Sequence, residues 1–152
     1  MALHYPSAEM VAVAWAKAVG GDVDPSKVAT TLPADPAVWA ATGFTTVTVL
    51  NASADAHVPL FEPVIAFDCW ACAPGSNKAP WGQAGAIASA IHWGTYRAIQ
   101  PLVAMPTGFH PARVLTARHL DGPFRIPNDE AGFARVRLHV ALTWTITAEV
   151  AA

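Results

Sequence analysis

Cys69-Trp70-Ala71-Cys72 is the sharpest chemical motif in the chain. A C-x-x-C after an apolar run has the spacing of a thiol–disulfide redox centre, in which the first cysteine sits at a helix N-terminus that stabilises its thiolate. Here the first cysteine falls inside an expected strand, and Pro74-Gly75 delays any helix. Residues three apart on a strand point to opposite faces and lie roughly 10 Å apart. A disulfide spans at most about 7 Å between Cα atoms. The spacing therefore predicts two semi-buried structural cysteines, with a thiol–disulfide oxidoreductase using Cys69 and Cys72 as the minor alternative. Half a zinc site is the other chemistry open to such a pair, but no second C-x-x-C or paired histidines at finger spacing complete it.

The remaining reactive side chains are scattered. His4, His57, His92, His110, His119 and His139 show no metal-binding spacing and read as surface or hydrogen-bonded histidines, although His119 and His139 would meet if their strands were adjacent. No nucleophile elbow is present, and Gly82-Gln83-Ala84-Gly85 lacks the lysine of a phosphate loop. Asp68 is the one oddly placed acid, set in an apolar run. General acid–base work would require a second carboxylate or a histidine beside it. It reads instead as a strand-edge or capped residue beside the following turn. Six tryptophans, Trp15, Trp39, Trp70, Trp81, Trp93 and Trp144, are core or interface candidates, and Trp70 is expected to pack on Trp81 across the turn. The residues alone thus assign no catalytic, cofactor-binding or metal-binding role, and the expectation is a chain that is not an enzyme and carries no cofactor.

The elements that hold these residues follow from periodicity. A helix is predicted over 7–19, with Val11, Ala14, Trp15 and Ala18 on one face and Gly20-Gly21 after it. Asp24-Pro25 caps a short turn over 26–29, and 30–43 is connecting chain. Phe44 to Leu50 is a β-branched strand, and Asn51 to Pro59 a polar loop. Phe61 to Ala71 is an almost continuous apolar run, the pattern of a central strand covered on both faces, with Pro63 tolerated only near its start. A turn over 73–78 leads to a helix over 80–99, whose stripe of Ala84, Ile87, Ala88, Ile91, Thr95 and Ala98 is small enough to lie close on a sheet. After a connection over 100–111 come a strand over 113–119, a turn at Asp121-Gly122, a short strand over 124–126 and a polar loop over 127–130. From Phe133 to Thr147 the alternation is clearest: Val136, Leu138, Val140, Leu142, Trp144 and Ile146 against Arg135, Arg137, His139, Ala141, Thr143 and Thr145. The expected fold class is α+β: a mainly antiparallel or mixed sheet of about four to five strands with two helices on one side, in a single domain over 1–152.

The composition bounds the partners. The chain has 152 residues, 53% hydrophobic and 13% charged, with a net charge of −2 and a pI near 6.3. That excludes a disordered chain and argues against a free-standing nucleic-acid binder. Much of the apolar surplus is alanine, which occurs 32 times. The charge-free stretch over 79–96 contains Gln83, Ser89, His92 and three glycines, so no membrane span is expected. The N-terminus lacks the basic flank and apolar run of a signal peptide, and with two cysteines the expected place of synthesis is a reducing cytoplasm. Residues 1–76 hold seven acids and two bases, giving −5, and residues 77–152 hold four acids and seven bases, giving +3. Random scatter and a partner-facing asymmetry both fit that split.

One further pattern lies in the order of the segments. The Trp15 helix is followed by Leu32-Pro33 and by Trp39-Ala40-Ala41-Thr42-Gly43-Phe44 leading into a Val/Thr strand. Then come Pro63-Val64-Ile65-Ala66-Phe67-Asp68-Cys69-Trp70-Ala71 and Pro74-Gly75-Ser76-Asn77-Lys78-Ala79-Pro80-Trp81-Gly82-Gln83-Ala84, and finally Gly122-Pro123, the turn over 129–132 and Ala134-Arg135. From Ser7 to Thr147 the chain resembles the tail terminator (tail completion) proteins of long-tailed bacteriophages (siphoviruses). Cys72 is not part of that likeness. The resemblance implies an α+β fold with a sheet flanked by helices and no catalytic residues. It implies a virion structural protein: a ring, usually hexameric, at the head-proximal end of the tail tube, which stops tube polymerisation and presents the head-docking surface. The implied partners are further copies of the chain, the major tail tube protein and a head–tail connector or stopper protein. DNA would pass through the lumen without specific binding, and the site would be the tail neck of a virion assembled in the host cytoplasm. The neighbouring alternative is another neck or head-completion ring protein. A head-to-tail ring would use the opposite charges of the two halves, and both the 133–147 strand and the 51–59 loop are candidates to reach a neighbour.

Overall fold

In the computed structural model, residues 2–51, 60–127 and 132–147 are described. The 51–59 loop beyond Asn51, and 128–131 of the expected polar loop and turn, lie outside them.

Helix α1 spans Ala8–Lys17. Ser7 caps it, its hydroxyl accepting from the Met10 amide at 3.2 Å, and Glu9 and Lys17 sit at the ends where the helix dipole favours their charges. Its buried stripe is Val11, Ala12, Trp15 and Ala16 rather than the expected Val11, Ala14, Trp15 and Ala18. The helix is rotated so that Ala14 is only half-buried and Ala18 becomes the C-cap.

The sheet is larger than the sequence suggests. Among the described residues it has seven strands: β1 (Val28–Ala29), β2 (Phe44–Asn51), β3 (Leu60–Phe61), β4 (Val64–Cys72), β5 (Leu102–Val103), β6 (Ala112–Arg125) and β7 (Phe133–Ile146). They are ordered β1-β2-β4-β7-β6-β5, with β3 also on β7, in a half-barrel. β1 runs parallel to β2 and the other pairs are antiparallel. The sequence missed β1 and β5, which are two residues each and carry no periodicity to read. The run expected as one strand from Phe61 is split at Glu62-Pro63, because proline has no amide to continue a ladder. Conversely, the two short strands expected after residue 112 are one 14-residue strand, β6. It absorbs Asp121-Gly122 through register shifts rather than a turn, and its Gly122-Pro123 peptide is cis.

Strand β7 lies inside the sheet and does not reach past it. It pairs with β4 from Phe133 to Ala141, with β3 at Trp144 and Thr145, and with β6 on its other side. Helix α2 (Trp81–Gly94) packs on the same face as α1, as expected, with Ala84, Ile87, Ala88 and Ile91 buried. It ends five residues before the expected Ile99. The Thr95 hydroxyl donates to the His92 carbonyl at 2.7 Å, and Gln100 turns back to donate to the Gly94 carbonyl at 3.1 Å, so the final turn is closed by side chains. Gln100 also accepts the Trp15 indole N–H at 2.9 Å, tying the two helices together. Gly94 is required here, since a Cβ would lie 2.9 Å from Val19.

Candidate functional site

Alternation along β4 sends its side chains to two different places. Ile65, Phe67, Cys69 and Ala71 enter the main core with α1, α2 and the even positions of β7. Ala66, Asp68, Trp70 and Cys72 point to the other face, which carries no α-helix among the described residues. Asp68 is 2% exposed there and sits in mid-strand, not at an edge or beside the turn. Its cross-strand neighbours are Thr46 on β2 and Arg137 on β7. Arg137 grips the carboxylate with two bonds, Nε to Oδ1 at 2.8 Å and Nη2 to Oδ2 at 3.0 Å. Arg135, two residues along the same face, adds Nη2 to Oδ2 at 3.0 Å. Arg135 also lies over the Trp70 ring, 4.9 Å from its centroid, and the Trp70 indole N–H donates to the Thr46 hydroxyl at 3.0 Å.

Burial by itself would push the Asp68 carboxyl up. The hydrogen bonds and positive charges of Arg137 and Arg135 outweigh it and hold the carboxyl below its ordinary value, while Asp68 in turn raises Arg137. A carboxylate held this low is a weak base, and among the described residues its side-chain hydrogen bonds come from two guanidinium groups. The cluster therefore orients two partly exposed arginines rather than poising a proton. Sequence reading found Asp68 and placed both arginines on one face of β7. It did not pair them, because nothing local specifies which β7 residue faces residue 68.

The C-x-x-C does not form a centre. Cys69 lies in the main core, where burial and the adjacent Asp68 charge push its thiol well up and keep it protonated. Cys72 lies across the sheet in a second small core with Trp39 and Phe44. Neither forms a disulfide.

Other expectations are corrected. Trp70 and Trp81 are on opposite faces of the sheet. Trp70 partners Arg135, and Trp81, at the start of α2, is covered by Arg125 at 4.6 Å. His119 and His139 do not meet. His119 pairs with Val140 and stacks on His92 of α2, ring centroids 4.0 Å apart, and His139 faces Asp121 and Phe124. Among the described residues no three His, Cys, Asp or Glu side chains are grouped as metal ligands, and no helix is long and apolar enough to cross a membrane.

No family model matches the chain, and no curated protein matches it. Among solved structures, its fold is similar to that of a chain in the virion of a native gene transfer agent particle. The TM-score is 0.54 at 13% identity, over 91% of this chain and 86% of that one. At that identity the likeness is one of fold.

Proposed function

We propose that this chain is a structural protein of a phage-like virion, and more narrowly a tail terminator: one subunit of a ring, hexameric by the family's habit, at the head-proximal end of the tail tube. The observation that carries the reading is the fold shared along nine-tenths of the chain with a component of a gene transfer agent virion. The sequence supports it independently through the ordered segments from Ser7 to Thr147. In this reading the chain performs no catalysis. It contacts the major tail tube protein on one side and a connector or stopper on the other, and DNA passes without specific binding. It works in the tail neck after assembly in the host cytoplasm.

The test is negative-stain electron microscopy of the purified protein, alone and mixed with tail tubes, alongside light scattering. Rings capping tube ends are expected. A monomer at high concentration that leaves tube ends bare would overturn the proposal.

A further inference from the structure

The two flanks of the sheet are unlike each other in a complementary way. On one side, β5 covers only Ala112 and Arg113 of β6, so from Leu115 to Arg125 that edge has no strand partner among the described residues. On the other side, β1 covers only Thr45 and Thr46 of β2, and Val47 to Asn51 have no strand partner there among the described residues. Open edges of this kind invite pairing.

Their charges are opposite. β6 carries Arg113, Arg118 and Arg125 against Asp121 alone. The segment from Asp22 to Val38, which contains β1, carries Asp22, Asp24 and Asp35 against Lys27 alone. Each flank also exposes apolar side chains. On β6 these are Leu115 (45%) and Leu120 (42%), with Tyr96 brought alongside by its 3.1 Å bond to His92, which stacks on His119. On the other flank they are Leu50 (50%) and Val38 (53%).

We infer that these flanks are the two halves of a head-to-tail contact between copies of this chain, with the open β6 edge of one copy docking on the β1–β2 flank of the next. The inference rests on the ring reading above and assigns its joint. A partner of another kind needs one flank only. Opposite signs beside the two ends of a single sheet, basic on β6 itself and acidic in the segments flanking the uncharged β1 and β2, are what a heterologous self-contact uses, and they fix its direction. Strand polarity agrees. β2, β4, β7 and β6 alternate, so β6 runs antiparallel to β2. Copies related by rotation about an axis along the strands keep that relation, and the alternation continues across the joint. Register shifts on β6 leave only Thr116 to His119 regular within the open edge, about the length of the open part of β2. Such irregularity limits the edge to one short register and opposes open-ended stacking.

Charge reversal with mixing tests the joint. One variant, Arg113→Glu with Arg118→Glu, makes both flanks acidic. A second, Asp22→Lys with Thr48→Lys, makes both basic and spares Asp24 and Asp35, whose carboxylates cap turns. Circular dichroism checks folding, and the neutral pair Arg118→Gln and Asp22→Asn replaces any reversal that unfolds. Each variant alone is expected to need at least about tenfold more protein to assemble than the wild type. Equimolar mixing should restore rings, with the two variants alternating, as read by light scattering and microscopy. Wild-type rings with either variant assembling normally alone, or folded variants that stay apart on mixing, would overturn the joint and leave the ring standing. A wild type that makes no ring at all would overturn the ring reading itself.

Discussion

The two faces of one sheet solve burial by different means. The face under α1 and α2 is filled by hydrocarbon and aromatic rings: Trp15 lies 5.5 Å from Phe67, with Leu138, Val140 and Ile91 around them, all essentially unexposed. The opposite face has no α-helix over it among the described residues, yet Ala66 and Asp68 are as deeply covered. There the cover is made of long side chains, Arg135 and Arg137 over Asp68 and Trp70, together with the small core of Trp39, Phe44 and Cys72. Arginine stems can shield a surface while their heads remain wet. The first face is held by area, and its strength should be indifferent to acid. The second is held by charge, and its strength should depend on acid.

The largest effect should come from the helix-covered side. Phe67→Ala removes a wholly buried ring against Trp15 and should cost about 3–5 kcal/mol in chemical denaturation. The loss should be the same at pH 7 and pH 4, because the buried residues clustered with Phe67 are hydrophobic and the Cys69 thiol among them stays protonated in that range. A strongly pH-dependent loss would break the contrast between the faces.

Arg137→Leu probes the other side. It removes two of the three arginine bonds to a carboxylate that is 2% exposed, and should cost about 3 kcal/mol at neutral pH. The sign with pH follows from Asp68, whose carboxyl is held below its ordinary 3.8 in the folded chain. Its contribution is fully present above that value and is lost as pH falls through the lower folded value. The gap between wild type and Arg137→Leu should therefore narrow in strong acid. A constant gap would mean that Arg137 acts by packing alone.

Gly43 lies where the two faces meet. Its φ is +76°, and a Cβ would sit 2.4 Å from Ile87 Cδ1 and 2.8 Å from the Trp70 carbonyl oxygen. The side chain of Ile87 can shift, but the backbone carbonyl cannot do so cheaply. Gly43→Ala should cost about 2 kcal/mol, read as a lower denaturation midpoint.

How much of this is written in the sequence depends on the range of the interaction. The odd–even pattern of β7 is local and gave the strand to within a residue at its end. Both helix starts were legible from Ser7 and Pro80, whereas the end of α2 was not, because Gln100 closes it from outside the periodic segment. The strands β1 and β5 exist only by pairing. The apolar run at residue 61 was readable as buried but not as two strands, β3 and β4, laid one after the other along β7. Asp68 was visible as an anomaly, and its explanation sits 67 and 69 residues away in the arginines.

The smallest predicted effect marks the rim where the helix-covered face stops being indifferent to pH. His92 packs on His119 at 4.0 Å, its Nε2 lies 3.1 Å from the Tyr96 hydroxyl, and His119 Nε2 is 2.7 Å from the Gly122 carbonyl. Partial burial and the facing His119 hold His92 below its ordinary 6.5. The folded chain therefore favours the neutral ring, and the unfolded chain takes up the proton first as pH drops. The stabilisation is present above 6.5 and is lost as pH falls through the folded value, the same sign as for Asp68 but in a less acidic window. His92→Gln keeps a hydrogen-bonding group but removes the titration, so its Tm should change less than the wild type's between about pH 7 and pH 5. Equal slopes would show that the ring stack carries no linkage, and the helix-covered face would then be silent to its edge.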